Sequence, residues 1–183
     1  KPWQGGKGQA ALFYSRVRDQ IQTMVVDSTA CGGKTCNQAQ NVGRTRNVGF
    51  EVSLAQQLSA QWAVHAGYTY LSRTNLSDRS ITLTDTPRQR LTAALQWSPQ
   101  AQWQLRAELE AEQGRKVPLS ASGQAQVYQM AGYGVANLRA RYLPRPDTTL
   151  DFGVANLGDK WYQLADGLPM PGRSWYVNLG YRF

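Results

Sequence analysis

Apolar and polar side chains alternate along the segment from Trp103 to Glu112, which reads WQLRAELEAE. A period of two predicts a β-strand with one apolar face and one polar face. A strand of about ten residues is long enough to cross a bilayer at a tilt, whereas strands in globular proteins typically have about 5 or 6 residues. The alternation therefore favours a transmembrane β-barrel. A soluble β-sandwich, which would bury the apolar face against a second sheet, is the alternative.

The same alternation predicts eight strands, joined by connections that are alternately short and long. Short periplasmic turns and long outer loops are typical of outer-membrane barrels, so we expect an all-β, antiparallel transmembrane barrel. In the first strand, Phe13 is assigned to the apolar face, although Leu12 and Tyr14 compete for it. The predicted strands cover residues 9–26, 41–56, 61–72, 88–97, 101–112, 128–143, 148–157 and 173–183.

The short connection SPQ allows a prediction of register between the fourth and fifth strands. If it pairs Trp97 with Ala101, facing positions have numbers that sum to 198. Arg90 then faces Glu108, and opposite charges directly across a strand pair are favourable. We therefore expect an inward ladder of opposite charges in this hairpin. The same register places Arg88 opposite Glu110 and Leu95 opposite Trp103.

Composition agrees with a barrel and argues against other classes. Only 17% of the residues are charged and the mean hydropathy is −0.50, but a barrel alternates lipid-facing and lumen-facing residues, so its average is unremarkable. No apolar run is long enough for a transmembrane helix. The net charge of +8 comes from arginines spread along the chain, which favours an anionic lipid or ligand over nucleic acid. Six Trp and nine Tyr suit aromatic girdles at the two membrane interfaces.

The two cysteines, Cys31 and Cys36, flank a Gly-Gly pair in the polar segment STACGGKTCNQ. This spacing favours a small loop closed by a disulfide, which implies an oxidising compartment. Half of a zinc site is the alternative. Zinc needs about four ligands, and His65, the single histidine, is distant in sequence, so the disulfide is the preferred interpretation and no metal or cofactor is expected.

Four stretches resemble the C-terminal barrel region of TonB-dependent outer-membrane receptors. They occur in that family's order and spacing, and together they span essentially the whole chain. Gln89 stands where the family frequently has His, and Gly158 replaces a usual Phe. The stretches are ALFYSRVRDQIQ, NVGRTRNVGFEVSL, TPRQRLTAALQW, and LDFGVANLGDKWY followed by PMPGRSWYVNLGYRF.

The resemblance implies a fold and a function. Family members have a plug domain, which contacts TonB, ahead of a barrel of about 22 strands. We therefore expect this chain to be a C-terminal barrel segment, whose partners are the plug, the N-terminal barrel strands and the barrel assembly machinery. The implied function is uptake of a scarce nutrient, most often a ferric siderophore, across the outer membrane of a Gram-negative bacterium. The implied assembly signal is the row Trp175, Val177, Leu179, Tyr181 and Phe183.

Several side chains are candidates for contact with cargo or lipid. By strand phase, seven inward residues lie nearest the outside, and Arg and aromatic groups suit anionic or catecholate ligands. Arg44 and Arg46 share the lipid-facing parity above the apolar band, where lipopolysaccharide phosphates lie. Met24, Met130 and Met170 would suit copper, which is a minor option. The seven cargo candidates are Arg73, Arg88, Arg90, Glu110, Glu112, Gln129 and Tyr176.

Two alternatives to transport are a self-contained small barrel and an enzyme barrel. A self-contained eight-stranded barrel, with an adhesin or structural role, would require the first and last strands to pair along their full length. An enzyme barrel is not favoured, because no Ser-His-acid set lies near His65. The pairing of the two outermost strands therefore discriminates between a closed small barrel and a segment of a larger one.

Overall fold

The computed structural model describes residues 5–26, 32, 36–121 and 124–183. Within these residues the chain is built from strands and turns, and no helix is long and apolar enough to cross a membrane. The described strands are β1 (Gly6–Val17), β2 (Ile21–Val26), β3 (Cys36–Asn41), β4 (Thr45–Gln57), β5 (Trp62–Asn75), β6 (Gln89–Trp97), β7 (Trp103–Gln113), β8 (Lys116–Ala121), β9 (Gln124–Gln129), β10 (Tyr133–Arg145), β11 (Thr148–Ala155), β12 (Gln163–Ala165), β13 (Leu168–Pro169) and β14 (Ser174–Tyr181).

Eight strands form one antiparallel sheet in the order β1-β4-β5-β6-β7-β10-β11-β14. Each strand pairs with the next sheet strand along the chain, so short turns collect at one end and long connections at the other. The hairpins β2–β3, β8–β9 and β12–β13 all belong to the long connections. Long loops face the outside in outer-membrane barrels. The predicted all-β, antiparallel architecture is confirmed.

The predicted strand at 9–26 is wrong in its continuity. Asp19 has φ of 54°, in the left-handed region, and this turn ends β1 and starts β2 as part of a separate hairpin. Gln20 closes the hairpin base, since its N–H donates to the Gly43 carbonyl at 2.9 Å and its carbonyl accepts from Val42 at 2.8 Å. The predicted strands at 41–56 and 128–143 are likewise interrupted, because residues 42–44 and 130–132 separate hairpins from β4 and β10.

The apolar face of the sheet is uncovered. Phe152 is 42% exposed and Leu179 is 70% exposed, so the described residues contain no second sheet against that face, as a sandwich would require. Several of the few buried apolar residues, including Val25, Val42 and Val117, lie instead among the long connections. Large exposed apolar patches mark contact with a membrane or a partner. The exposed side chains of this face include Val48, Phe50, Val52, Leu54, Leu91, Leu95, Leu109 and Leu138.

Aromatic pairs border this face at both ends. At the turn end, Trp62 stacks on Trp97 with ring centroids 5.4 Å apart, and Trp103 stacks on Tyr142 at 4.5 Å. Towards the loop end, Phe50 contacts Tyr70 at 5.8 Å and Tyr68 at 5.7 Å. Along β5, Trp62 and Tyr70 are separated by about 26 Å at the usual rise per residue. The two groups therefore bracket the apolar stretch, as aromatic girdles do.

The predicted register between β6 and β7 is wrong by four positions. Trp97 faces Leu105 instead of Ala101, and Arg90 faces Glu112 instead of Glu108. The turn is longer than SPQ, because β6 ends at Trp97 and β7 does not begin until Trp103. A shift by an even number of residues preserves the faces, so Leu95 and Leu105 remain on the apolar side.

The face predicted for β1 is also wrong. Leu12 and Tyr14 are the outward residues, opposite Phe50 and Val48, and Leu12 is 89% exposed. Phe13 lies on the polar face and covers Gly49 of β4, where a Cβ would be 2.4 Å from its ring. At the other edge, the Tyr176 ring covers Gly153, where a Cβ would be 2.1 Å from it. An edge aromatic covering a glycine of the neighbouring strand is a known way to fix strand pairing.

These two glycines give contrasting predictions. Gly153→Val is expected to destabilise the receptor by about 1–3 kcal/mol through overpacking, and Tyr176→Ala in the same chain should recover most of this, because only the Tyr176 side chain blocks the site. Gly49→Val should not be recovered by Phe13→Ala, since a Cβ there would also be 2.2 Å from the Tyr70 carbonyl oxygen. Heat-unfolding midpoints of the four variants check both outcomes. Equal rescue at the two sites would contradict the contacts described.

The outermost strands of the sheet remain unpaired with each other. Among the described residues, β1 bonds only β4, and β14 bonds only β11. The self-contained eight-stranded barrel required β1 to pair with β14, so that arrangement is not the one this sheet adopts. An open edge cannot face lipid without unsatisfied backbone groups. The open sheet therefore agrees with a segment of a larger barrel.

Candidate functional site

The polar face carries a network of ion pairs near the loop end. Arg90 donates to Glu110 at 2.9 Å and lies 3.8 Å from Glu112, which also pairs with Arg115. The Glu112 side chain is only 7% exposed, so its two arginines compensate for the loss of water. The hydroxyl of Tyr133 donates to Glu110 at 3.4 Å. Arg90 of the predicted charge ladder is therefore paired, through Glu110 and Glu112 instead of Glu108. The predicted pair of Arg88 with Glu110 is wrong, because the Arg88 guanidinium donates to the Tyr70 hydroxyl.

A second set of ion pairs lies nearer the turn end. Asp151 of β11 accepts hydrogen bonds from Arg139 at 2.8 Å and from Arg141 at 2.9 Å, while Arg106 pairs with Glu108 on β7. Cross-strand and same-strand pairs of this kind neutralise most of the charge on the polar wall. The charged groups of these two sets are thus engaged with one another.

A cavity of about 380 Å³ lies at the loop end of β5 and β6, beneath the connection formed by residues 76–88. Its cationic lining comprises Arg73, Arg79, Arg88 and Lys116, and no carboxylate side chain of the described residues lines it. The Arg73 guanidinium is held by the Thr84 carbonyl at 2.9 Å and the Thr86 hydroxyl at 3.1 Å. Arg79 and Lys116 are exposed and make no ion pair with a described carboxylate. The cavity is therefore electropositive.

Two hairpins hold the 76–88 connection in place. Gln22 of β2 is buried, donates to the Thr82 carbonyl at 3.0 Å and accepts from the Thr84 N–H at 3.1 Å. On the opposite side, the Asp85 N–H donates to the Lys116 carbonyl of β8 at 2.8 Å. Buried side-chain bonds to backbone of this kind order a loop that would otherwise be mobile. The 76–88 connection thus forms an ordered wall of the cavity.

A buried asparagine anchors the start of the same connection. The Asn75 side chain donates to the Val42 carbonyl at 2.8 Å and accepts from the N–H groups of Ser77 and Asp78. Further along the loop layer, Tyr128 of β9 donates to Asp166 at 2.7 Å, and this hydrogen bond raises the pKa of the tyrosine. Gln22 and Asn75 were missed in the sequence, where a polar residue in an alternating strand signals only a polar face.

The seven predicted cargo residues do not form one site. Arg73 and Gln129 line the cavity, while Arg90, Glu110 and Glu112 belong to the ion-pair network. Arg88 also lines the cavity. Its guanidinium donates to the Tyr70 hydroxyl at 2.6 Å, and that ring stacks on Phe50 of the apolar face. Tyr176 covers Gly153 on the polar face.

The remaining candidates have simpler positions. Cys31 lies outside the described residues, so the disulfide to Cys36 at the start of β3 stays a prediction. His65 lies on the polar face opposite Ala55 and Ala94. The sulfur of Met24 accepts from Gln22 at 3.3 Å. The row proposed as an assembly signal is exposed on the apolar face along β14 and just beyond it, from Trp175 to Phe183.

Residues 1–157 match the protein family described as TonB dependent receptor-like, beta-barrel. The chain therefore belongs to the TonB-dependent receptor β-barrel family, a class of transporters and not of enzymes, which resides in the outer membrane of Gram-negative bacteria. The predicted family and location are confirmed. No curated protein matches the chain.

Solved structures share this architecture over nearly the whole chain. The copper transporter OprC aligns with a TM-score of 0.77 and 22% identity, covering 98% of this chain and 29% of that protein. The ferric-catecholate import receptor Fiu from E. coli K12 aligns at 0.72 and 21%, covering 97% and 25%. The siderophore receptor PirA from Acinetobacter baumannii aligns at 0.72 and 18%, covering 98% and 30%. This chain thus spans less than a third of each of these proteins, and identities this low establish the shared fold alone.

Proposed function

We propose that the receptor containing this segment imports an anionic metal chelate, most simply a ferric siderophore, across the outer membrane. The chain would supply a C-terminal part of the barrel. A plug domain and further strands outside it would complete the channel, and contact between that plug and TonB would provide the energy. The observation that carries the proposal is the electropositive cavity at the loop end, which is lined by Arg73, Arg79 and Lys116 and by no carboxylate from the part of the chain that the structure describes.

The chemistry of the cavity suits oxygen-rich anions. Guanidinium and ammonium groups bind catecholate or carboxylate oxygens through charge-assisted hydrogen bonds, which are shorter and stronger than neutral ones. Arg79 and Lys116 are available for this role, whereas the arginines of the polar wall are already paired with Glu and Asp. The cavity lies among the long connections, which face the outside, so a ligand would meet it before entering the lumen.

A strain lacking the receptor gene tests the proposal. Uptake of ⁵⁵Fe is measured from haem and from a panel of ferric catecholates and carboxylates, with and without a functional TonB. Uptake of radiolabelled cobalamin and radiolabelled copper is measured in parallel. We expect the deletion to abolish uptake of at least one anionic ferric chelate, and a TonB deletion to do the same. Loss of copper or cobalamin uptake alone, with every ferric chelate imported normally, would overturn the choice of cargo.

A further inference from the structure

We propose that Arg115 is a positioning residue of the loop-end cavity, which sets the affinity for the anionic cargo without contacting it. The Arg115 guanidinium bridges Glu112 of the barrel wall and the Asp85 carbonyl of the 76–88 connection. Arg115 lies outside the cavity lining, whereas the next residue, Lys116, belongs to it. The effect on affinity rests on the proposed function, but the effect on the connection does not.

The bridge has two separate partners and little access to water. One Nη atom of Arg115 donates to the Asp85 carbonyl oxygen at 2.7 Å, and the other pairs with the Glu112 carboxylate. The Arg115 side chain is only 17% exposed, and Glu112 is buried. Charged groups with so little water depend on their fixed partners. Arg115 therefore holds the connection to the barrel wall through bonds that solvent does not readily replace.

Asp85 is the point at which the connection is fixed. Its φ of 70° lies in the left-handed region, which a residue with a side chain adopts at a cost in free energy. The Asp85 N–H donates to the Lys116 carbonyl at 2.8 Å, while the Asp85 carbonyl accepts from Arg115. Two consecutive residues thus hold this strained turn. Loss of the Arg115 bond leaves only one of these two contacts, so we expect the turn to relax.

The position of this turn controls the distance between two cations of the cavity. Arg79 belongs to the 76–88 connection, whereas Lys116 belongs to β8. An anion that contacts both side chains needs them at a fixed separation. A site that is correctly formed for only a fraction of the time binds more weakly by that fraction. Release of the turn should therefore lower the affinity for cargo although both cations remain.

The first experiment separates position from charge in the complete receptor in detergent. Arg115→Lys keeps the positive charge, but its single nitrogen does not reproduce the planar fork that holds two partners. Arg115→Gln removes the charge. Binding is titrated with two probes, ferric citrate and the ferric tris-catecholate complex. For each probe that the wild type binds, we expect Kd to rise about tenfold in both variants.

Arg139→Lys is the matched control. The Arg139 guanidinium also makes two hydrogen bonds on the polar face, to Asp151 at 3.1 and 2.8 Å, and it lies outside the cavity lining. Its Kd should stay within about twofold of the wild type, as for a distant, independent site. Wild-type affinity in Arg115→Lys, beside a weakened Arg115→Gln, would show that Arg115 acts by charge alone and would overturn the proposal.

A spin label at Ser80, an exposed residue of the 76–88 connection, tests the bridge without cargo. We expect Arg115→Lys to lose the immobile spectral component and Arg139→Lys to keep it. A saturating probe should restore this component in Arg115→Lys, because cargo favours the ordered connection. Equal mobility in Arg115→Lys and the wild type would overturn the proposal. If the wild type binds neither probe, the proposed cargo fails, while the mobility at Ser80 still decides the role of Arg115.

Discussion

Val52→Arg is expected to lower the amount of folded receptor in the outer membrane by at least about tenfold. Val52 lies near the middle of β4 on the apolar face and is 42% exposed. An arginine on the lipid side near the bilayer midplane costs about 2–4 kcal/mol, and each 1.4 kcal/mol is about a factor of ten in an equilibrium. Immunoblotting of outer-membrane fractions, with heat-modifiability on gels, measures the folded fraction.

The adjacent position provides the matched control. Ser53 is exposed on the polar face opposite Gln9 and Gly67, so Ser53→Arg adds the same side chain to a hydrated surface. Its expected effect is within about 0.5 kcal/mol, as for an ordinary surface substitution. Equal folded levels for both variants would contradict the assignment of the faces.

Charge reversal in the loop-end cavity is expected to give the largest functional effect. The double variant Arg79→Glu, Lys116→Glu should weaken binding of an anionic ferric chelate by at least about 100-fold, because two charge-assisted hydrogen bonds are lost. Each contributes about 1.5–3 kcal/mol, and each 1.4 kcal/mol is about a factor of ten in affinity. The two residues line the cavity from the 76–88 connection and from β8. Titration of the purified receptor, followed by quenching of tryptophan fluorescence, gives Kd.

Arg173→Glu is the control for this reversal. Arg173 is an exposed residue at the same end of the sheet, and it lies outside the cavity lining. Arg173→Glu makes the net charge more negative, as the double variant does, but leaves the cavity lining unchanged. Because salt screens long-range electrostatics, Kd for the chelate should stay within about twofold of the wild type. A comparable loss in both variants would show that overall charge, and not the cavity, governs affinity.

The sequence predicted the sheet and the faces of its strands other than β1, because alternation is a local property. Along β7, Leu105 and Leu109 must lie on one side and Glu108 on the other in any extended conformation. The two-residue alternation within strands does not predict how long the turns between them are. The register of β6 and β7 was therefore wrong by four positions, and the left-handed turn at Asp19 went unnoticed.

The candidate site was predicted only in part, for a related reason. The alternation of residues predicts the face of the sheet from which each Cβ projects. A long side chain at the end of a strand can still extend towards the other face, as the Arg88 guanidinium does towards Tyr70. Gln22 donates a hydrogen bond to the Thr82 carbonyl, 60 residues further along the chain. The local sequence around either residue does not predict such a long-range contact. The position of Arg73 at the loop end could be predicted because the residue continues the alternation of β5, whereas its contact with cargo stays a prediction.

Site-directed spin labelling along β7 tests directly whether the apolar face of the sheet contacts hydrocarbon and the polar face lines a lumen. Single cysteines are introduced in turn from Gln104 to Glu110 in the receptor in lipid bilayers, and a sample without them reports background label on Cys31 and Cys36. We expect accessibility to oxygen to peak at positions 105, 107 and 109, and accessibility to a water-soluble nickel chelate to peak at positions 104, 106, 108 and 110. Oxygen and nickel profiles that rise and fall together, without opposite phases, would contradict it.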